Sequence, residues 1–382
     1  MASKRVNKIY RSIIKKLYKL LKGLVLPFKS RRILIVKLDS IGDYVLFRNI
    51  IACIAQSEKY KGYKISLLGN ISFKDLAESF DREYIDRFYW LNPEKLYAFP
   101  YQLGLMLKIK IKAFDILINP VHSSNEKVEA FYADLGVKYK IASDGDTVNI
   151  LTPGLVDQIK GSYNELIDIP GIDCFEFIRN RVFIEKLIQQ PCLPKLELPV
   201  KQEKHDGIKV TLFPGANQVF RRWAPQNFAK LINILSVSVT GKVTFEICGS
   251  AGDGVLAAEI LQYTDNNVKV VNKTGQTKLN KLVEVIGNSD LLISNETVAV
   301  HIGAATGTNT VCISNGNHFG RFNPYPAEIS ETVTTVYPNS EFDDPTMFSA
   351  LVEKFRIKSE IDINLIEPEM VAKAALALIG KR

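Results

Sequence analysis

Apolar and polar positions follow two rhythms along this chain. Between residues 4 and 32, Val6, Ile9, Ile13, Leu17, Leu20, Leu21 and Leu24 recur at the three- and four-residue spacing of one helical stripe. Lysines and arginines fill the opposite face, and that stretch holds no acidic residue. The spacing predicts a basic amphipathic helix over residues 1–29. From Ile33 the rhythm changes to short unbroken apolar runs, the pattern of strands buried on both faces. Ile33 to Val36, Ile65 to Leu68 and Phe114 to Pro120 read as strands. Helical spacing follows each of them, around Val45 to Ile51, over Phe73 to Phe80 and over Glu126 to Leu135. The Pro-rich stretch Gln190 to Pro199 and the charged residues Lys201 to Asp206 read as a linker. Beyond it the alternation restarts, with strands at Lys209 to Phe213, Val243 to Cys248, Leu291 to Ile293 and Thr310 to Ile313. Helices are expected at Pro225 to Leu235 and Leu279 to Ile286.

Two successive series of this kind predict an α/β protein with two doubly wound, Rossmann-like domains facing a cleft. Residues 30–190 form the first, 191–207 the linker and 208–382 the second. The length of 382 residues accommodates both.

Charge and cysteine usage narrow the setting. The net charge of +8 is concentrated at the N-terminus. A basic amphipathic helix there reads as an anchor on an anionic membrane surface, the alternative being a helix packed on the protein's own core. The continuous apolar stripe argues against a nucleic-acid arm. No apolar run is long enough to predict a spanning helix. Cys53, Cys174, Cys192, Cys248 and Cys312 are scattered without metal-ligand spacing, and so are the four histidines. Reduced thiols, a cytoplasmic location and no metal site are expected.

The chemistry gathers in the turns after strands. Lys37-Leu38-Asp39-Ser40-Ile41-Gly42-Asp43 leaves the first strand and enters a helix, which places Asp43 near a helix N-terminus at the sheet's carboxyl edge. Asp43 is a candidate general base or a simple helix cap, with Lys37, Ser40 and Gly42 shaping the loop. In the second domain, Gly215 and Ala216 permit close backbone approach, and Arg221 and Arg222 suit phosphate oxygens or form a solvated basic surface. Thr277 is a candidate N-cap for the helix at Leu279. Glu296, Thr297 and Val298 lie between a strand and a small-residue helix, whose N-terminus is an anion site. His301, one turn in, is a further candidate or a packed histidine.

Taken in order, KLDSIGDYVL, FPGAN…RRW, NKTGQT, SNETVAVHIGAATGT and NGNHFGRFNPYP resemble glycosyltransferase family 9, the ADP-heptose:lipopolysaccharide heptosyltransferases and their relatives. The resemblance covers about residues 31–330. It implies a GT-B fold and an inverting, metal-independent glycosyltransferase without a cofactor. A nucleotide-diphosphate sugar, ADP-heptose in the family, would be the donor, and a lipid-linked glycan such as lipopolysaccharide core the acceptor. The family's base falls on Asp43, its phosphate-binding cation on Arg221 or Arg222, and its donor loop on Glu296, Thr297, Val298 and His301. Such an acceptor implies work at the inner face of the cytoplasmic membrane. Glu296 stands where the family has Asp and Val298 where it has Gly, which leaves the donor sugar open. The alternatives are a non-catalytic nucleotide-sugar-binding scaffold and a sugar-nucleotide epimerase.

Overall fold

The computed structural model describes residues 16–21, 24, 30–171 and 174–380. It divides into one unit of residues 1–169 and 179–194 and a second of residues 170–178 and 195–382.

Six parallel strands make the sheet of the first unit: β1 (Arg32–Lys37), β2 (Lys64–Asn70), β3 (Arg87–Leu91), β4 (Ile116–Asn119), β5 (Tyr139–Ser143) and β6 (Glu165–Ile167), in the order β3-β2-β1-β4-β5-β6. Ile33 pairs with Ile65 on one side and Ile116 on the other, so β1 is central. Its run Ile33 to Val36 is fully buried, as a strand covered on both faces requires. The second unit repeats the plan with β7 (Ile208–Phe213), β8 (Val243–Ile247), β9 (Val270–Asn272), β10 (Leu291–Asn295), β11 (Thr310–Ile313) and β12 (Val333–Val336), in the order β12-β11-β10-β7-β8-β9. Read from the first strand of each unit, both orders are the same doubly wound order. The switch point falls between β1 and β4 in one unit and between β7 and β10 in the other. Open α/β sheets bind ligands there, because the loops on either side turn in opposite directions and leave a crevice.

Local details revise several expectations. The helix after β1 starts at Ile41 and ends at Val45, a 3₁₀ turn and the helix Ile51–Gln56 continuing the path. The helix Leu279–Gly287 is capped at Lys278 and not at Thr277. The thiols were expected to be reduced, but a disulfide joins Cys53 to Cys192 across a sequence separation of 139. The helix Ile51–Gln56 and the chain beyond Ile188 bring these two cysteines together. Cys248 and Cys312 are free and buried.

Of the N-terminal stripe, residues 1–15, 22–23 and 25–29 lie outside the described residues. Residues 16–21 are helical. Tyr18 is buried, donates its hydroxyl to Asp134 at 2.8 Å and sets its ring edge against Phe99. Leu21 packs on the same core cluster. Leu17, Leu20 and Leu24 remain exposed. Among the described residues no helix is long and apolar enough to cross a membrane.

Candidate active site

In the first unit, the loop leaving β1 is held from below. Lys37 is fully buried, ion-paired to Asp39 at 2.7 Å, with its ammonium 5.0 Å from the centre of the Phe47 ring. The Asn70 amide donates to the carbonyls of Leu38 and Asp39 at 3.3 and 3.2 Å, tying the loop to β2. Asp43 occupies the third position of its helix and accepts from the backbone N–H of Ser40 at 3.3 Å. Asp43 therefore caps the helix and is half-buried. Gly42 is the second helical residue and is also half-buried. One residue further, Tyr44 anchors the helix inward by donating to Asp81 at 2.6 Å.

Across the switch point, the end of β4 carries a polar cluster that sequence reading missed. The Asn119 amide donates to Glu129 Oε1 at 2.9 Å and the Tyr163 hydroxyl to Oε2 at 2.6 Å. Burial pushes the Glu129 carboxyl above its usual range, opposed by these hydrogen bonds. The only hint in the sequence is a glutamate on the apolar side of its helix, beside Phe131 and Tyr132. A shallow hollow opens beyond β5, lined by Ser124, Asp146, Lys160 and Tyr163 among others.

In the second unit, Asn295 stitches the two lips of the switch point. This fully buried side chain donates to Pro214 O at 2.7 Å and accepts from Trp223 N at 3.2 Å. Above it, Arg221 is ion-paired through Nη2 to Glu296 Oε1 at 3.2 Å and also donates to the Glu296 carbonyl. Ser314 donates to the other carboxylate oxygen at 2.5 Å. The Arg221 Nε–H is buried with no hydrogen-bond partner. Arg222 donates through Nε to Ala216 O at 2.7 Å, fastening the loop to itself. A Cβ at Gly215 would lie 2.5 Å from the Asp253 carboxylate.

Thr297 caps the helix Val298–Thr306, accepting from Ala299 N at 3.3 Å, with Ser294 Oγ 3.2 Å away. Val298 is the first helical residue and has no positive φ, so this position does not demand glycine. His301 is buried, with Nδ1 2.5 Å from the Tyr325 hydroxyl. Burial, helped by the nearby Arg221 guanidinium and opposed by Glu176, pushes its pKa down to about 3. It is therefore a neutral imidazole near pH 7 and contributes no charge to an anion site. Glu176, itself buried, is paired with Arg321 at 2.9 Å. Among the described residues no group of three His, Cys, Asp or Glu side chains could hold a metal ion.

Residues 190–351 match the model of glycosyltransferase family 9 (heptosyltransferase). They contain β7, β10 and the loops just described. Over those residues the chain resembles glycosyltransferase family 9. The chain is also 27% identical over 174 residues to lipooligosaccharide heptosyltransferase 2 of Haemophilus influenzae, covering 44% of this chain and 47% of that protein. The match thus spans about half the length of that curated relative. At the level of fold, the chain is similar to a glycosyltransferase family 9 structure from Veillonella parvula, with a TM-score of 0.70 at 15% identity over 94% of this chain and 100% of the other. It is likewise similar to the ADP-heptose lipopolysaccharide heptosyltransferase II of E. coli, with a TM-score of 0.69 at 14% identity over 92% and 99% of the two chains. The two family 9-like sheets are the paired Rossmann-like domains of the GT-B fold. In the second unit, Arg221, Glu296 and Thr297 come together at the switch point, whereas His301 turns into the packing behind it.

Proposed function

We propose that this chain is an inverting, metal-independent glycosyltransferase. It would move a heptose or related sugar from a nucleoside diphosphate to a lipid-linked glycan such as lipopolysaccharide core, at the cytoplasmic face of a membrane. One observation carries the donor half of this reading. The buried, unpartnered Nε–H of Arg221 lies in the loop pinned to Glu296, immediately before the capped N-terminus of the helix Val298–Thr306. A diphosphate oxygen is the acceptor such a donor lacks, and the positive end of the helix adds to its attraction.

The step is a single displacement. The acceptor hydroxyl oxygen bonds to the anomeric carbon as the bond from that carbon to the diphosphate oxygen breaks. The electron pair leaves with the diphosphate, and Asp43 takes the hydroxyl proton. Arg221, Arg222, the Thr297 hydroxyl and the helix amides meet the growing negative charge, which is why no divalent cation is required. Residues 1–29 would hold the enzyme on an anionic membrane surface, where a lipid-linked acceptor resides.

Calorimetry with ADP and adenosine tests the donor site. Replacing Arg221 and Arg222 together by alanine should weaken ADP far more than adenosine, since each charge-assisted phosphate contact contributes about 1.5–3 kcal/mol. Equal weakening of both would remove the phosphate role. Transfer to a lipopolysaccharide-core acceptor that stops on adding EDTA would overturn metal independence.

A further inference from the structure

The surface around the N-terminal helix is itself composite. Tyr18 and Leu21 fasten residues 16–21 to the core of the first unit, which leaves the other side of that helix facing outward. There Leu20 is 77% exposed, with Leu17 and Leu24 also open to solvent. The helix lies over Phe99–Lys110: Tyr18 meets Phe99 at one end, and Lys110 donates to Leu24 O at 2.9 Å near the other. At those two ends the body of the unit adds its own exposed apolar residues, Tyr97 at 67% and Ile111 at 72%. Lys16, Lys19, Lys95 and Lys108 are exposed on the same two segments. No acidic residue occurs before Asp39, nor between Lys95 and Phe114.

Scattered exposed leucines need no explanation, but this patch joins aliphatic and aromatic side chains to a basic surface on which Glu94, beside Lys95, is the exposed acidic residue. Lysines can lay their stems on apolar surface and extend the ammonium to phosphate headgroups, while a tyrosine fits the boundary between headgroup and acyl chain. We infer that the helix Phe99–Lys110 and its flanks form, together with residues 16–21 and Leu24, one membrane-docking surface for an anionic lipid bilayer. This rests on the membrane reading above and deepens it. The anchor is not a detachable tail, because the first unit itself touches lipid and is held in one orientation.

The test uses the full chain in co-sedimentation with phosphatidylglycerol-containing vesicles and with pure phosphatidylcholine vesicles. The unaltered protein should bind the former, with affinity falling as salt rises. Tyr97→Ser with Ile111→Ser should lower the partition coefficient at least about tenfold with the N-terminal segment intact. Lys95→Glu with Lys108→Glu, at exposed positions where folding is spared, should lower it comparably and mainly at low salt. If both double variants bind like the unaltered chain, the body of the unit does not touch lipid and residues 1–29 act alone. If the unaltered chain itself ignores anionic vesicles, the membrane reading falls, and the composite surface with it.

Discussion

Glu296 holds Arg221. The guanidinium lies 3.2 Å from the carboxylate, which is buried and also receives the Ser314 hydroxyl. Removing the cation would leave a buried charge with a single hydrogen bond from a neutral group. Arg221→Ala should therefore cost about 3 kcal/mol of stability. Arg222→Ala, which gives up one bond to a carbonyl, should cost about 1 kcal/mol. Urea denaturation of the two variants ranks them, and the reverse order would mean that the pair is not a structural clamp.

Asp43 joins a capping role to a candidate chemical one, and a single substitution separates them. Asp43→Asn keeps the shape and an oxygen that can accept from Ser40 N. Transfer should fall by about 10²–10⁴ if the carboxylate is the base. Donor affinity by calorimetry and the melting temperature should hardly move. A variant keeping a large part of its turnover would leave Asp43 as a cap alone.

His301 makes stability depend on pH. Its pKa falls from 6.5 to about 3 on folding, so below pH 6.5 the unfolded chain binds a proton that the folded chain refuses. The contribution is complete above pH 6.5 and is lost as pH falls toward 3, by up to about 1.4 kcal/mol per pH unit. His301→Gln should flatten the fall in unfolding free energy between pH 6 and pH 4, measured by urea titration. An unchanged slope would show that the imidazole is not held neutral.

Two glycines should respond in opposite ways to alanine. At Gly215 the new Cβ would meet the Asp253 carboxylate at 2.5 Å, and that carboxylate is held by Ser250 N and Oγ, both at 2.7 Å. Gly215→Ala should destabilise by about 1–3 kcal/mol. Gly104, inside the helix Phe99–Lys110, has nothing within 4 Å of its missing Cβ. Gly104→Ala should stabilise by about 0.5–1 kcal/mol. Thermal melts of both variants check the contrast.

Some of this architecture was legible in the sequence. Ile33 to Val36, Ile116 to Ile118 and Leu291 to Ile293 are apolar without interruption, and Val210 to Phe213 is broken only by the buried Thr211, because both faces of a central parallel strand are covered, and a buried face leaves a local pattern. The strand–turn–helix order around Asp43 and Thr297 was readable for the same reason. Strands nearer the edges escaped notice: β3 is only partly buried, and β6 and β9 are three residues long. The folded chain alone decided which residues meet. Arg221 and Glu296 are separated by 75 positions, Tyr18 and Asp134 by 116, and Cys53 and Cys192 by 139. Periodicity reports which face of an element is dry; it is silent on which polar side chain arrives opposite another. The neutral state of His301 and the holding of Arg221 by Glu296 belong to that second kind, since a pKa and an ion pair are set by burial and neighbours in space.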